Sequence, residues 1–176
     1  MSASLAIVSE RVVLRPYGPM DADALYGLWT DPQIVRMTNP GFQPSREQVS
    51  SAIERFRKQW DEDGFGQWAV QQKMTGAVIG YCGFKLWERT GPELELVFGI
   101  TPTLWSRGYA TEAVRSALAF LQERHPSRVV LGAAFFHNKA SHRVMQKAGL
   151  LPAGTYYEDG PYALFRWGAG QEATKK

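Results

Sequence analysis

Cysteine and long apolar runs are nearly absent from this chain. Cys82 is the only cysteine among 176 residues, so no disulfide can form within the chain, which is typical of a reducing compartment. No stretch reaches the length of about 18 consecutive apolar residues that indicates a transmembrane helix. The first residues lack the basic and apolar segments of a secretory signal. We therefore expect a cytoplasmic protein without a membrane partner.

The chain also lacks an excess of charge of one sign. The 20 basic and 17 acidic side chains give a net charge of +3, and they are interspersed along the sequence. This pattern disfavours a nucleic-acid tail, so we expect no nucleic-acid partner. The phosphate-binding motifs G-x-x-x-x-G-K-[ST] and G-x-G-x-x-G are also missing, which argues against a nucleotide-binding protein.

The sequence also lacks the residue spacings that indicate a metal site or a reactive thiol. His125, His137 and His142 lack cysteine or acidic partners at the spacings of metal sites, so we predict no metal. Cys82 lies in the apolar run Ala77–Trp87 without a histidine nearby. We interpret it as a core thiol rather than a nucleophile.

What is present is an alternation of strand and helix patterns. With 44% hydrophobic residues, the chain can bury a core, and we expect one domain over residues 1–176 with its core in about 9–167. The patterns predict the order β-α-α-β-β-β-α-β-α-β-β, an α/β fold. Strands at Glu93–Ile100 and Arg128–Phe135 flank a helix long enough for a right-handed crossover, so we expect them to be parallel. The other connections suit antiparallel pairs.

Four helix boundaries carry explicit signals. The first predicted helix ends at Pro32, and turn residues follow as far as Ser45. Ser45 is predicted to cap the next helix in a capping box with Gln48. Asn138 and Gly149 are predicted to cap the two ends of the last helix.

The stretch Thr103–Val114, TLWSRGYATEAV, runs from a short loop directly into a helix. The unpaired N–H groups and the positive dipole end of a helix attract anions. Gly108 allows the backbone to approach a phosphate closely, and Arg107 adds a positive charge. These residues alone equally suit a plain glycine entry into a helix with an exposed arginine.

The same stretch resembles a family motif. WSRGYATEA is similar to the pyrophosphate-binding motif Q/R-x-x-G-x-G/A of the GCN5-related N-acetyltransferases (GNAT), with Trp105 at the Q/R position, as in the RimJ/RimL-type branch. Three further segments of that branch have counterparts here: SERVVLRPYGPMDADALYGLWTDPQIVR, GQWAVQQKMTGAVIGYCGF and NKASHRVMQKAGL. The resemblance covers about residues 9–167.

The resemblance implies a fold, a reaction and a set of contacts. The fold is a mixed, mostly antiparallel sheet with a splayed parallel strand pair and helices on both faces. The reaction is direct transfer of acetyl from acetyl-CoA, used as a co-substrate, to a primary amine. The implied cofactor contacts are Phe98, Gly99, Ile100, Arg107, Gly108, Tyr109, Ala110, Thr111, Asn138 and Arg143. For Asn138, a plain helix-capping role is the alternative.

Two residues are implied as catalytic. Glu95 matches an acidic family position and is expected to take a proton from the amine; alternatively, it only attracts a cationic acceptor. Met145 stands where many family members have a tyrosine general acid. Ser141 on the same helix is the substitute proton donor, unless its hydroxyl bonds only to its own helix backbone.

The acceptor pocket is expected between three segments: the Asp31–Ser45 loop, the Trp87–Gly91 turn and the Tyr156–Tyr162 hairpin. They combine aromatic walls with carboxylates, which suits an amine; these residues are Phe42, Trp87, Tyr156, Tyr157, Tyr162, Glu88, Glu158 and Asp159. We expect a protein or peptide N-terminal α-amine as the acceptor. A small-molecule amine (antibiotic, polyamine or amino acid) and a non-catalytic acyl-CoA sensor stay open, as do a monomer and a homodimer.

Overall fold

The computed structural model describes residues 5–157 and 160–168. Within these ranges the chain forms eight strands and five α-helices. The strands are β1 (Ile7–Val8), β2 (Val12–Pro16), β3 (Gln67–Gln72), β4 (Val78–Leu86), β5 (Leu94–Ile100), β6 (Val130–Phe135), β7 (Leu151–Tyr157) and β8 (Pro161–Trp167). The helices are α1 (Ala22–Thr30), α2 (Pro32–Thr38), α3 (Arg46–Asp63), α4 (Tyr109–Arg124) and α5 (Lys139–Lys147).

All eight strands belong to one mixed sheet in the order β1-β2-β3-β4-β5-β6-β8-β7. β5 and β6 are parallel, and the other neighbours are antiparallel. α4 connects the parallel pair, as the sequence predicts, because a crossover must carry the chain back along the sheet. The mixed, mostly antiparallel sheet is therefore confirmed.

Helices cover both faces of the sheet. Along β4 and β5, side chains alternate between the two faces. Phe84, Leu94 and Leu96 pack with α4 residues such as Val114 in one buried cluster. Tyr81 lies on the opposite face, in a second cluster with the buried sides of α1 and α3. The site described below is lined from both sides of the sheet, by α1–α3 on this second face and by α5, whose Met145 belongs to the first cluster.

The predicted end of the first helix at Pro32 is confirmed, since α1 ends at Thr30 and Asp31 is extended. The turn predicted after it instead contains a second helix, α2, which begins at Pro32, because the first helical N–H has no partner in the helix. The Asp31 carboxylate caps α2 by accepting from Gln33 N at 2.8 Å. The short strand β1 was not predicted either, since two residues carry no periodic signal. The Ser45 capping box is confirmed.

Among the helices of the described residues, none is long and apolar enough to cross a membrane. The predicted turn between the last two strands includes Glu158 and Asp159, which lie outside the described residues.

Candidate active site

The sheet opens between β5 and β6. Their pairing ends at Glu95 and Leu131, although β5 continues to Ile100. Main-chain groups alternate in direction along a strand. Those of Phe98 therefore point the same way as Leu94, whose N–H donates to a carbonyl just before β6 at 2.9 Å. Beyond Glu95, β5 presents its backbone to a gap, which is the predicted splay.

The loop after β5 carries an anion-binding geometry. Gly108 begins α4 with a φ of 83°, a left-handed conformation that strains other residues. Among the described residues, no side chain caps the helix at this position, so the first-turn N–H groups at 109–111 are available to an anion. On the other side of the loop, the Trp105 indole donates to Ile100 O at 2.6 Å and ties the loop to β5.

Arg11, the residue before β2, holds this loop in place through its guanidinium, and its contacts are called the Arg11 brace below. Its guanidinium donates from Nη1 to Arg107 O at 2.8 Å and from Nε to Glu112 Oε2 at 2.7 Å. It also lies over the Tyr109 ring, 4.6 Å from the ring centroid. Burial alone raises the pKa of Glu112, but hydrogen bonds from Arg11 N–H, from the Ser9 hydroxyl and from the guanidinium outweigh it and lower that pKa. An acidic side chain in the first turn of α4 is thus neutralised.

A cavity of about 600 Å³ opens on the α1–α3 face of the sheet, at the gap. It lies between the three segments predicted to form the acceptor pocket. Its aromatic lining consists of Trp29, Phe42, Phe56, Tyr81, Trp87, Phe98, Phe135, Tyr156 and Tyr162. Edge contacts join Trp87 to Tyr156 at 4.9 Å, and Phe135 stacks on Tyr162 at 4.3 Å. The walls therefore combine aromatic rings with polar and charged side chains.

Glu95 lines this cavity and has a partner that the sequence did not predict. Lys85 is its direct neighbour across β4 and β5, and the distance from Lys85 Nζ to Glu95 Oε2 is 3.0 Å. Cross-strand alternation places both side chains on the cavity face.

The opposite wall comes from the start of α5. Ser141 lines the cavity, and its backbone N–H donates to Asn138 Oδ1 at 3.1 Å. The Asn138 carboxamide also donates from Nδ2 to Met37 O at 2.9 Å, which ties α5 to α2. Asn138 is therefore the predicted N-cap and has a second protein partner as well. Met145 is buried and lines the deeper end of the cavity.

Tyr81 lies in the cavity wall but was not identified from the sequence. A Cβ on Gly99 would lie 2.6 Å from the Tyr81 ring, so the ring covers Gly99 and requires a glycine there. Burial raises the pKa of Tyr81 to about 12, which keeps its hydroxyl protonated at neutral pH. The signal that would have found it is strand pairing, since Tyr81 and Gly99 are partners across β4 and β5.

The predicted cofactor residues do not all line the cavity. Phe98 and Asn138 do, whereas Gly99 and Ile100 at the end of β5 and the loop residues 107–111 after it lie outside the lining. Arg143 is exposed on α5, away from the cavity lining.

Residues 11–151 match the family model described as an acetyltransferase (GNAT) domain. The chain belongs to the GNAT acetyltransferase family. This match spans most of the chain and includes the gap, the Gly108 loop and the α5 wall of the cavity.

Known GNAT proteins resemble this acetyltransferase over nearly its full length. The uncharacterized N-acetyltransferase YoaA of Bacillus subtilis (strain 168) is 24% identical over 159 residues, covering 88% of this chain and 90% of YoaA. The structure of the ribosomal-protein-S5-alanine acetyltransferase from Vibrio fischeri superposes with a TM-score of 0.80 at 12% identity, over 96% of this chain and 98% of that one. The aminoglycoside acetyltransferase AAC(6')-Ib in complex with coenzyme A gives a TM-score of 0.72 at 20% identity, over 90% and 95%.

The cysteine and two of the histidines of this GNAT acetyltransferase lie in the core or next to backbone carbonyls. Burial raises the pKa of the Cys82 thiol, which keeps it protonated in the core. The ring nitrogens of His125 and His142 lie within hydrogen-bond distance of backbone carbonyls. Within the part of the chain that the structure describes, no group of three or more His, Cys, Asp or Glu side chains could hold a metal ion.

Proposed function

We propose that this N-acetyltransferase uses acetyl-CoA to acetylate the N-terminal α-amine of a protein or peptide, as a RimJ/RimL-type enzyme. The observation that carries the proposal is the junction of the gap and the cavity. The open backbone of β5 leads into an aromatic cavity whose walls hold Glu95 on one side and Ser141 on the other.

The residues around the gap fit coenzyme A. The β5 backbone near Phe98 would hydrogen-bond the extended arm like an added strand. The first-turn N–H groups at 109–111 would bind the pyrophosphate, with Arg107 adding charge. Gly108 has its left-handed conformation at the point of closest approach. When bound, acetyl-CoA supplies an acetyl thioester whose carbonyl carbon accepts the amine nitrogen and whose thiolate leaves.

Two side chains of the protein would carry out the proton transfers of the reaction. Glu95 Oε1 accepts the proton that the acceptor ammonium must lose, directly or through water. The Ser141 hydroxyl donates a proton to the departing sulfur and recovers one from solvent. Both side chains line one cavity, Glu95 from β5 and Ser141 from α5, so the acceptor amine and the thioester would be held between groups from two elements.

The charge of the cavity favours an α-amine over a polycation. Among the described lining residues, the cations Arg55, Lys85 and Arg89 outnumber the carboxylates Glu88 and Glu95. Both carboxylates have partners, because Lys85 pairs with Glu95 and the Tyr156 hydroxyl donates to Glu88. A peptide α-amine brings one positive charge, and with a pKa near 8 roughly a tenth of it is already deprotonated at neutral pH. It therefore needs only a weak base.

The test is release of free CoA from acetyl-CoA with a panel of acceptors. The panel contains peptides with different N-terminal residues, the same peptides with a blocked α-amine, polyamines, amino acids and aminoglycosides. We expect release with free peptide α-amines and none with the blocked controls. Release with aminoglycosides alone would overturn the α-amine proposal in favour of a small-molecule enzyme, a candidate kept by the structural similarity to AAC(6')-Ib. Acetyl-CoA binding without any release would indicate a sensor.

A further inference from the structure

Gln67, the first residue of β3, has a buried carboxamide that lines the acceptor cavity. The residue is only 8% exposed. Its backbone carbonyl accepts from the Trp60 indole at 3.0 Å, but within residues 5–157 and 160–168 its side-chain amide has no hydrogen-bond partner. The amide therefore faces the cavity with its donor and acceptor groups available to water or to a ligand.

Gln71, four residues further along β3, provides the comparison. Its Oε1 accepts from Arg15 Nε at 3.1 Å, and its Nε2 donates to Gly76 O at 2.6 Å. Gln71 lies outside the cavity lining. Within the described residues, Gln71 thus has protein partners for its side-chain amide, whereas Gln67, on the same strand, presents its amide to the cavity.

The surroundings of Gln67 leave room for a ligand. Its partner on β4 is Gly83, which in turn pairs with Val97 on β5. A Cβ on Gly83 would lie 2.6 Å from Gln67 Cα, so glycine is required and no side chain fills the row between Gln67 and β5. Glu95 lies two strands and two residues away, on the order of 10 Å between Cα atoms.

We propose that the Gln67 carboxamide binds the first peptide group of the acceptor and is a specificity residue of the enzyme. A carboxamide offers both a donor and an acceptor, which match the C=O and N–H of a peptide group. The distance to Glu95 corresponds to an amine near Glu95 followed by about one extended residue. The inference rests on the proposed peptide acceptor and adds that an amine without a neighbouring amide is a poor substrate.

The experiment compares Gln67→Leu with the matched control Gln71→Leu. Kinetics are measured with the best peptide acceptor of the panel and with its analogue in which the first peptide bond is an ester. For wild type we expect about a tenfold lower kcat/KM with the ester, the value of one hydrogen bond to a buried partner. Gln67→Leu should lose about tenfold with the peptide, discriminate little between peptide and ester, and keep the wild-type KM for acetyl-CoA.

Unfolding by denaturant provides a readout that does not depend on activity. Gln67→Leu should unfold at about the same denaturant concentration as wild type, since within residues 5–157 and 160–168 the substitution removes no hydrogen bond of the side chain. Gln71→Leu should unfold earlier and keep wild-type discrimination. A destabilised Gln67→Leu, or one that discriminates peptide from ester as wild type does, would overturn the inference. Failure of wild type to acetylate any peptide would instead overturn the proposed function, and with it the role of Gln67.

Discussion

The Arg11 brace should control both the stability of the Gly108 loop and the affinity for acetyl-CoA. Arg11→Met keeps much of the apolar stem but removes the guanidinium, and with it the hydrogen bonds to Arg107 O and Glu112 Oε2. It also leaves the Glu112 carboxylate without its counter-ion in the first turn of α4, where the proposed pyrophosphate site lies. Both changes weaken binding of an anion.

The expected loss of unfolding free energy in Arg11→Met depends on how exposed the Arg11 and Glu112 side chains are. A hydrogen bond to a charged group contributes about 1.5–3 kcal/mol when it is shielded from water. The Arg11 side chain is 40% exposed and that of Glu112 is 14% exposed, so solvent screening reduces the value. For both bonds together we expect about 1–2 kcal/mol in the free energy of unfolding. If that free energy orders the loop, the Kd for acetyl-CoA rises about tenfold.

The contribution of the Arg11–Glu112 contact to the free energy of unfolding depends on pH. The native pKa of Glu112 lies below its ordinary value of 4.5, so its interactions stabilise the folded state above that pH. The contribution is lost as the pH falls through the native pKa, because protonation removes the charge that Arg11 binds. The difference in unfolding free energy between wild type and Arg11→Met should therefore shrink below about pH 4.5.

Calorimetric titration with acetyl-CoA and denaturant unfolding measure the two quantities. Glu112→Gln is the matched control, since it removes the ion pair but keeps a side chain able to accept from Arg11. The double variant should be less destabilised than the sum of the single variants, because both remove the same contact. An unchanged Kd in a destabilised Arg11→Met would refute the link between the brace and the cofactor loop.

Three substitutions test the individual site residues. Gly108→Glu should abolish acetyl-CoA binding, measured by titration, because it adds a negative charge and a Cβ at a left-handed position with φ of 83°; unchanged affinity would exclude this loop as the pyrophosphate site. Glu95→Gln should lower kcat most near neutral pH and less under alkaline conditions, where the acceptor amine loses its proton to solvent; a parallel pH–rate profile would leave Glu95 as an anchor for the amine. Ser141→Ala should slow transfer by about tenfold or less, since a thiolate leaves readily, and an unchanged single-turnover rate would make Ser141 structural.

Local signals in the sequence predicted most of the secondary structure. The capping residues Ser45 and Asn138 act through atoms three residues away, so their effect is contained in a short window. The same holds for Gly108, whose lack of a Cβ permits the left-handed turn. Pro32 ends α1 as predicted, but it is also the first residue of α2, because proline is suited to both positions. The Asp31 cap in front of it is the signal for the second helix.

The catalytic surroundings depend on strand register, which a single sequence does not state. Lys85 pairs with Glu95, and Tyr81 covers Gly99, because β4 and β5 are aligned at those residues. A shift of one residue would send each side chain to the other face. For this reason the sequence predicted Glu95 as a site residue but not the ion pair that changes its chemistry.

The sequence by itself determined most of the elements, the Ser45 and Asn138 caps, the parallel pair and the glycine loop before α4, because each has a signal in a short stretch of the chain. Only the tertiary structure decided that Arg11 bonds to Glu112 from 101 residues away and that, among the described residues, the Gln67 side-chain amide faces the cavity and not a protein partner. These features depend on which segments of the chain pack against one another. Burial, pairing and the lack of a partner are properties of that packing, and the same residue types in another register would have none of them.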